Sequence, residues 1–229
     1  RLSRCYASAV HDVLREKGYD NCVLPPEIQA LKRGQKLFGE IYTVSGHIDK
    51  TLTRHQSLLL WSRVLSKVPS NKVIICQPNT HSIALMGELS ARALMVKGTK
   101  GYLMDGHCRD VEEIISANFP VFCRLSTPAD IVERWKYDAL GGPITIGNVT
   151  IRSGDYIIAD MDGAVIIPSL MPSTQIYSQI GKDTPPEKRQ ELALDAVDAV
   201  LSTQRQSRMR YRVAAARLLA GRSRPVVAL

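Results

Sequence analysis

What this sequence lacks narrows its possible roles before any motif is read. No apolar run approaches the ~18 residues that a bilayer-spanning helix requires, so no membrane association is expected. There is no secretory signal pattern, and the five cysteines (Cys5, Cys22, Cys76, Cys108, Cys123) contain no CxxC spacing. That excludes a zinc ribbon and a disulfide scaffold, and it suits free thiols in a reducing cytoplasm. Charged residues make up only 23% of the chain against 45% apolar, a globular composition rather than a disordered or collagen-like one. Internal repeats and low-complexity linkers are absent too. Acidic residues are missing altogether from Ala199 to Leu229, where seven arginines stand. The first 198 residues therefore carry only +1 of the total charge of +8. Such a tail can meet an acidic or phosphate-rich partner, or form a solvated or oligomer-packing helix face. No aromatic–basic alternation or RNA-binding motif accompanies it, so nucleic acid is not an expected partner.

What is present reads as mixed α/β. Tyr6, Val10, Val13 and Leu14 recur at helical spacing, and Gly18 is a natural stop. Asn21 to Lys36, with Pro25-Pro26, is expected to be mainly loop with a short helical piece. Strands are expected at Phe38–Val44, Lys72–Gln77, Gly101–Met104 and Val121–Arg124, and helices at Leu52–Val68, Glu88–Val96 and Val111–Ala117. Asp105-Gly106-His107-Cys108 reads as a turn. This strand–helix–strand alternation predicts parallel pairing. Beyond Gly141-Gly142, four short β-rich runs separated by Gly147-Asn148, Ser153-Gly154-Asp155 and Asp162-Gly163 predict an antiparallel meander. From Pro186 onward the Ala/Leu/Arg-rich chain is expected to be helical.

One stretch, GELSARALMVKGTKGYLMDGHCRDVEEI, carries candidate chemistry. Gly87 has no side chain, so a ligand can approach the backbone there. The helix start at Glu88 to Ser90 offers unpaired N–H groups and a positive dipole end suited to a small carboxylate. Arg109 and Asp110 follow a strand end, where ligand sites in open α/β sheets gather. A guanidinium can grip a carboxylate or keto oxygen, and a carboxylate is a hard ligand for Mg²⁺ or Mn²⁺. A rival reading stays open: Asp110 followed by Glu113 also fits a helix-capping box. His107 beside Cys108 reads as turn packing, and Asp160 and Asp162 as turn and strand-end residues. His11, His47, His55 and His81 lack metal-ligand spacing. Tyr6, Trp61 and Trp135 read as core or interface aromatics.

Gly87-Glu88-Leu89, Asp105-Gly106 and Arg109-Asp110, in this order and spacing, resemble the RraA-like family, which includes 4-hydroxy-4-methyl-2-oxoglutarate aldolase. The later segment GGPITIGNVTIRSGDYIIADMDGAVIIP resembles the family's β-rich part, so the likeness covers roughly residues 5 to 168. It implies a swivelling β/β/α catalytic domain over 1–170, with a helical extension over 171–229 that is basic after 199. It further implies a homotrimer or dimer of trimers with active sites between subunits; the cytoplasmic location is the expectation from the free thiols. Asp110 would be the ligand of Mg²⁺ or Mn²⁺, and Arg109 would bind the pyruvyl oxygen and steady an enolate. Backbone N–H groups of Gly87, Glu88, Leu89 and Ser90 would hold the pyruvate carboxylate, while Glu88 would bond metal-bound water. The implied activity is cleavage of a 4-hydroxy-2-oxo acid, or decarboxylation of oxaloacetate, to pyruvate. Ribonuclease-inhibiting relatives, the alternative, tend to lack the Asp after the Arg. One departure stands out. Where the aldolases supply a C-terminal glutamate from a neighbouring subunit, this chain has Gln206 to Arg212, without an acid; Glu187 and Glu191 are the substitutes at hand.

Overall fold

The computed structural model describes residues 6–169; the expected extension over 171–229, with its arginines, Glu187 and Glu191, lies outside the described residues. Helix α1 (Ala7–Glu16) buries Ala7, Val10 and Leu14 and ends before Gly18, whose φ of +83° closes it. Strand β1 (Gln29–Ala30) precedes the long β2 (Leu37–Ile48), then α2 (Arg54–Lys67), β3 (Val73–Gln77) and β4 (Ala84–Met86). Next come α3 (Glu88–Val96), β5 (Gly101–Met104), β6 (His107–Cys108), α4 (Val111–Ser116), β7 (Val121–Cys123) and β8 (Leu125–Ser126). The chain continues through β9 (Trp135–Leu140), β10 (Ile144–Ile146), β11 (Val149–Ile151), β12 (Tyr156–Asp160) and β13 (Gly163–Ile167).

The main sheet runs β1-β7-β5-β3-β2-β12-β13, with β9 also on β2. Strands β2, β3, β5 and β7 are parallel neighbours, whereas β12 and β9 pair antiparallel with the first and last parts of β2. Both faces of this sheet are covered, which is why β3 is almost wholly apolar. Ile74 and Cys76 point into one core with Tyr102, Met104, Val121 and the helix residues Trp61, Val64, Ala91, Leu94 and Ile114. Val73 and Ile75 point the other way, into a core with Leu103, Phe122, Ile157 and Ile166. Helix α2 shows how locally this is encoded. Thr53 and Gln56 form a capping box, and Ser57, Trp61 and Val64 recur at helical spacing on the buried face.

Three expectations need correction. His107 and Cys108, expected within a turn, form strand β6 and pair with β4 and β8. No helix forms between Asn21 and Lys36; β1 pairs antiparallel with β7, Val23 bridges Val165, and the rest is turn, bend or irregular chain. Pro25 and Pro26 remove backbone donors, so only a single turn closes there, from Ile28 N–H to Pro25 O. The four late β-rich runs form two hairpins rather than one meander. β10–β11 is a separate ladder, while β12 leaves it to pair with β2 and β13. The physical cause is one-sided burial. Ile144, Ile146, Val149 and Ile151 all enter the second core while Thr145 and Thr150 stay exposed, so this hairpin lies as a cover on the sheet.

Three very short strands, β4, β6 and β8, form a second, parallel sheet. Each follows a main-sheet strand (β3, β5 and β7) after a break. A charged knot sits at that break. Asp105, 6% exposed, takes hydrogen bonds from Arg124 Nε at 2.5 Å and Gln77 Nε2 at 3.0 Å, and Arg124 also reaches Glu27 at 3.4 Å. A buried carboxylate persists only when paired in this way.

The attachment of β9 to β2 leaves no room for a side chain at Gly46: a Cβ there would fall on the Trp135 ring and the Lys136 carbonyl. Gly46→Ala is expected to cost about 1–3 kcal/mol through overpacking. Urea denaturation measures this, and an unchanged midpoint would contradict such tight seating of Trp135.

Candidate active site

β4 and β6 lie side by side and parallel, so the two turns that leave them start two helices next to each other. Gly87 is the N-cap of α3, and Asp110 is the N-cap of α4. The Arg109 N–H donates to Met86 O at 2.8 Å, which continues the ladder up to the helix starts. The first α3 bond runs from Ala91 N–H to Gly87 O at 2.9 Å, so the Leu89 and Ser90 N–H groups stand outside the helical ladder.

The geometry at Asp110 excludes the helix-capping box on α4. The residue is in the left-handed region (φ 54°, ψ 43°), and its side chain makes no capping hydrogen bond to α4. Instead Oδ2 accepts the Glu88 N–H at 3.0 Å, across to the neighbouring helix. A Cβ on residue 87 would lie 2.6 Å from that oxygen and 3.0 Å from Arg109 Cγ. Gly87 is therefore required for close approach, since its own backbone (φ −142°, ψ 179°) is open to any residue. A non-glycine residue at φ 54° is strained by about 1–3 kcal/mol, and in this conformation the carboxylate faces the start of α3 rather than α4.

Arg109 folds back over the same corner. Its Nε is 3.3 Å from Asp110 Oδ1, and its Nη1 is 3.5 Å from Asp130 Oδ2. Glu88 pairs with Arg92 Nε at 2.7 Å one turn along α3. Ser90 turns its hydroxyl inward to accept the Trp61 indole N–H at 2.8 Å, and Trp61 packs edge-on against Trp135 at 5.8 Å. Leu89, 82% exposed, has only backbone groups to offer a polar ligand. Two open pockets meet at Asp110. One of ≈ 270 Å³ is lined by Arg109, Val111, Ser126, Thr127 and Pro128, and the other, of ≈ 370 Å³, by Glu88, Val111, Glu112 and Glu113. The structure thus gathers Gly87, Glu88, Leu89, Ser90, Arg109 and Asp110 in one corner. It adds Ser126, the last residue of the two-residue β8, and Thr127 and Asp130 after it, a strand too short to register as a pattern.

The donor set fits a hard divalent cation that keeps most of its water. Asp110 is the one carboxylate at the centre, with Glu88, Glu112 and Glu113 around the adjoining space. Among the described residues no group of three or more His, Cys, Asp or Glu is arranged to enclose a metal ion. His107 stacks on His81 with ring centroids 6.4 Å apart, and burial, then His81 and Arg124, hold its pKa below the ordinary value. The thiols of the described residues are shielded from reaction by burial. Cys22, Cys76, Cys108 and Cys123 are all buried and free, and burial pushes Cys76 up to about 12. Asp160 accepts the Ala7 N–H at 2.8 Å and Asp162 the Ser8 hydroxyl at 2.6 Å, so both anchor α1 as structural residues.

Comparison with known proteins adds to this geometry. The RraA-like family profile, described as Aldolase/RraA, matches residues 7–166. Protein DlpA of Legionella pneumophila is 29% identical over 172 residues, covering 74% of this chain; the chain spans only 27% of DlpA's length. A protein of Halalkalibacterium halodurans, named as a candidate 4-hydroxy-4-methyl-2-oxoglutarate aldolase, is 25% identical over 77% of this chain and 81% of its own. The crystal structure of Streptomyces coelicolor RraAS2, described as an unusual member of the RNase ES inhibitor RraA protein family, superposes with a TM-score of 0.67. It shares 25% identity and is matched over 91% of this chain and 95% of that one.

Gly87→Ala tests the packing of this corner. The added methyl would displace the Asp110 carboxylate without straining the backbone. The variant is expected to keep its fold by circular dichroism and to bind Mn²⁺ at least about tenfold more weakly by calorimetry, as loss of ligand orientation does elsewhere. Equal affinity in the two proteins would count against Asp110 as the ligand.

Proposed function

We propose that this chain, which belongs to the RraA-like family, is a divalent-metal-dependent carbon–carbon lyase that forms pyruvate from a short 4-hydroxy-2-oxo acid or from oxaloacetate. The observation that carries this reading is the Asp110 carboxylate. It is turned out of its capping role and set beside Arg109 and the open start of α3.

The chain's own groups divide the work. The Leu89 and Ser90 N–H groups, at the positive end of α3, receive the substrate carboxylate. Arg109 holds the keto oxygen with charge-assisted hydrogen bonds. When the C3–C4 bond of oxaloacetate breaks, carbon dioxide leaves and the electron pair moves towards that oxygen. Arg109 interacts more strongly with the enolate than with the ketone, which is what lowers a barrier. Protonation at C3 then yields pyruvate. Asp110 would hold Mg²⁺ or Mn²⁺, and such a cation supplies Lewis acidity at the same oxygen. Glu88, at the rim, is placed to accept hydrogen bonds from the surrounding waters. The pocket beneath Ser126 and Thr127 offers hydroxyls and space for the part of the substrate that departs.

Assembly as a homotrimer or dimer of trimers belongs to the same proposal. The α3 face beside the site exposes Leu89 at 82% and Val96 at 91%, apolar surface that a second copy would cover. Sedimentation of the full chain is the direct check. Among the described residues no helix is long and apolar enough to cross a membrane.

Metal-loaded protein is expected to release pyruvate from oxaloacetate or 4-hydroxy-4-methyl-2-oxoglutarate in a coupled assay. Chelation should abolish the activity, and Asp110→Ala or Arg109→Ala should lower kcat by about a hundredfold or more. Absence of turnover on both substrates would reject the lyase reading. A second reading, a protein-binding regulator, draws support from the likeness to RraAS2. Near-stoichiometric recovery of a nuclease by the wild type and Asp110→Ala alike, without turnover, would favour it.

A further inference from the structure

The Arg109 guanidinium is held from two directions, and only one of them belongs to the corner described above. Its Nη1 lies 3.5 Å from Asp130 Oδ2, an ion-pair distance rather than a tight hydrogen bond. Asp130 is not a drifting surface acid. Its other oxygen, Oδ1, accepts the Val132 N–H at 3.1 Å, which fixes the carboxylate plane. The loop that carries it is tied to the strands of the site. Thr127 N–H donates to Cys108 O at 2.9 Å, Ala84 N–H donates to Ala129 O at 2.8 Å, and Ala129 N–H bonds Thr127 Oγ1 at 3.4 Å. Cys108, the last residue of β6, precedes Arg109, and Ala84 opens β4, which ends at Met86 just before Gly87. Asp130 is therefore built into the same frame as the groups it faces.

This pair is too exposed to matter much for stability: the side chains are 37% and 41% accessible, where ion pairs contribute little. Its consequence is geometric. An arginine has five N–H donors. With one directed at Asp110 and one at Asp130, three remain for a ligand, and two contacts restrain the plane of the guanidinium where a single contact would let it swing. A displacement of about 1 Å in a group that meets the reacting atoms can cost on the order of a hundredfold in rate.

We propose that Asp130 is a positioning residue for Arg109, fixing the guanidinium in the orientation that meets the developing enolate oxygen. This rests on the reading of the corner as a pyruvate-enolate site. Asp130→Asn is the informative variant, because its amide oxygen can still accept the Val132 N–H while the charge facing Arg109 is lost. With metal-loaded full-length protein and oxaloacetate, kcat is expected to fall about tenfold while KM stays within about threefold, the pattern of an interaction expressed in the transition state. The thermal midpoint should be unchanged.

A second readout does not depend on activity. The Arg109 Nε–H resonance, identified by its loss in Arg109→Lys, should exchange with water faster in Asp130→Asn than in the wild type. Unchanged exchange overturns the proposal, as does an unchanged kcat or a loss confined to KM. If the wild type turns over neither substrate, the lyase reading falls. The resonance still decides the positioning role, which faster exchange upholds.

Discussion

The Asp110 carboxylate lies 3.0 Å from the Glu88 amide, in space that a Cβ on residue 87 would fill. The rest of the site depends on that contact. It requires a glycine just after β4 and a left-handed residue two positions after β6, and it requires the two strands to run parallel so that two helix starts lie side by side. Given those conditions, Arg109 has an anionic neighbour to fold against. The ion pair among neighbours on the chain is then a product of tertiary register, because residue 88 supplies the N–H that fixes the carboxylate.

Behind the corner stands a sheet with two dry faces. Ile74 and Cys76 serve the helix side, and Val73 and Ile75 the hairpin side, so neither face can slip by one residue without exposing apolar side chains. Beyond this rigid part the strands break, and they resume as the short sheet that carries the site. Asp105, Arg124 and Gln77 occupy the break with mutual hydrogen bonds. The arrangement places the flexible chemistry of loops on a support whose position is set by packing.

Much of this was legible in the residues. The α3 limits follow from Gly87, the buried spacing of Ala91 and Leu94, and Gly98, and the strands at β3 and β5 follow from continuous apolar runs. The six candidate residues at Gly87 to Ser90, Arg109 and Asp110 do come together. Less visible were β4, β6 and β8, because two or three residues carry no period, and the tie of β12 to β2, because pairing partners distant in sequence leave no local trace. Asp130 escaped for the same reason, since nothing near it in the chain announces that it faces Arg109.

By itself the sequence determined the α/β alternation and the nearness of a helix start to an Arg-Asp pair. These depend on composition and on spacing within one element. It left Asp110 divided between capping a helix and serving a site, because both uses need the same residue at the same place before a helix. The tertiary structure removed the first of these uses, since the Asp110 side chain makes no hydrogen bond to α4. The direction of a short side chain is set by what lies across from it, and here that is the Glu88 amide above a residue with no Cβ.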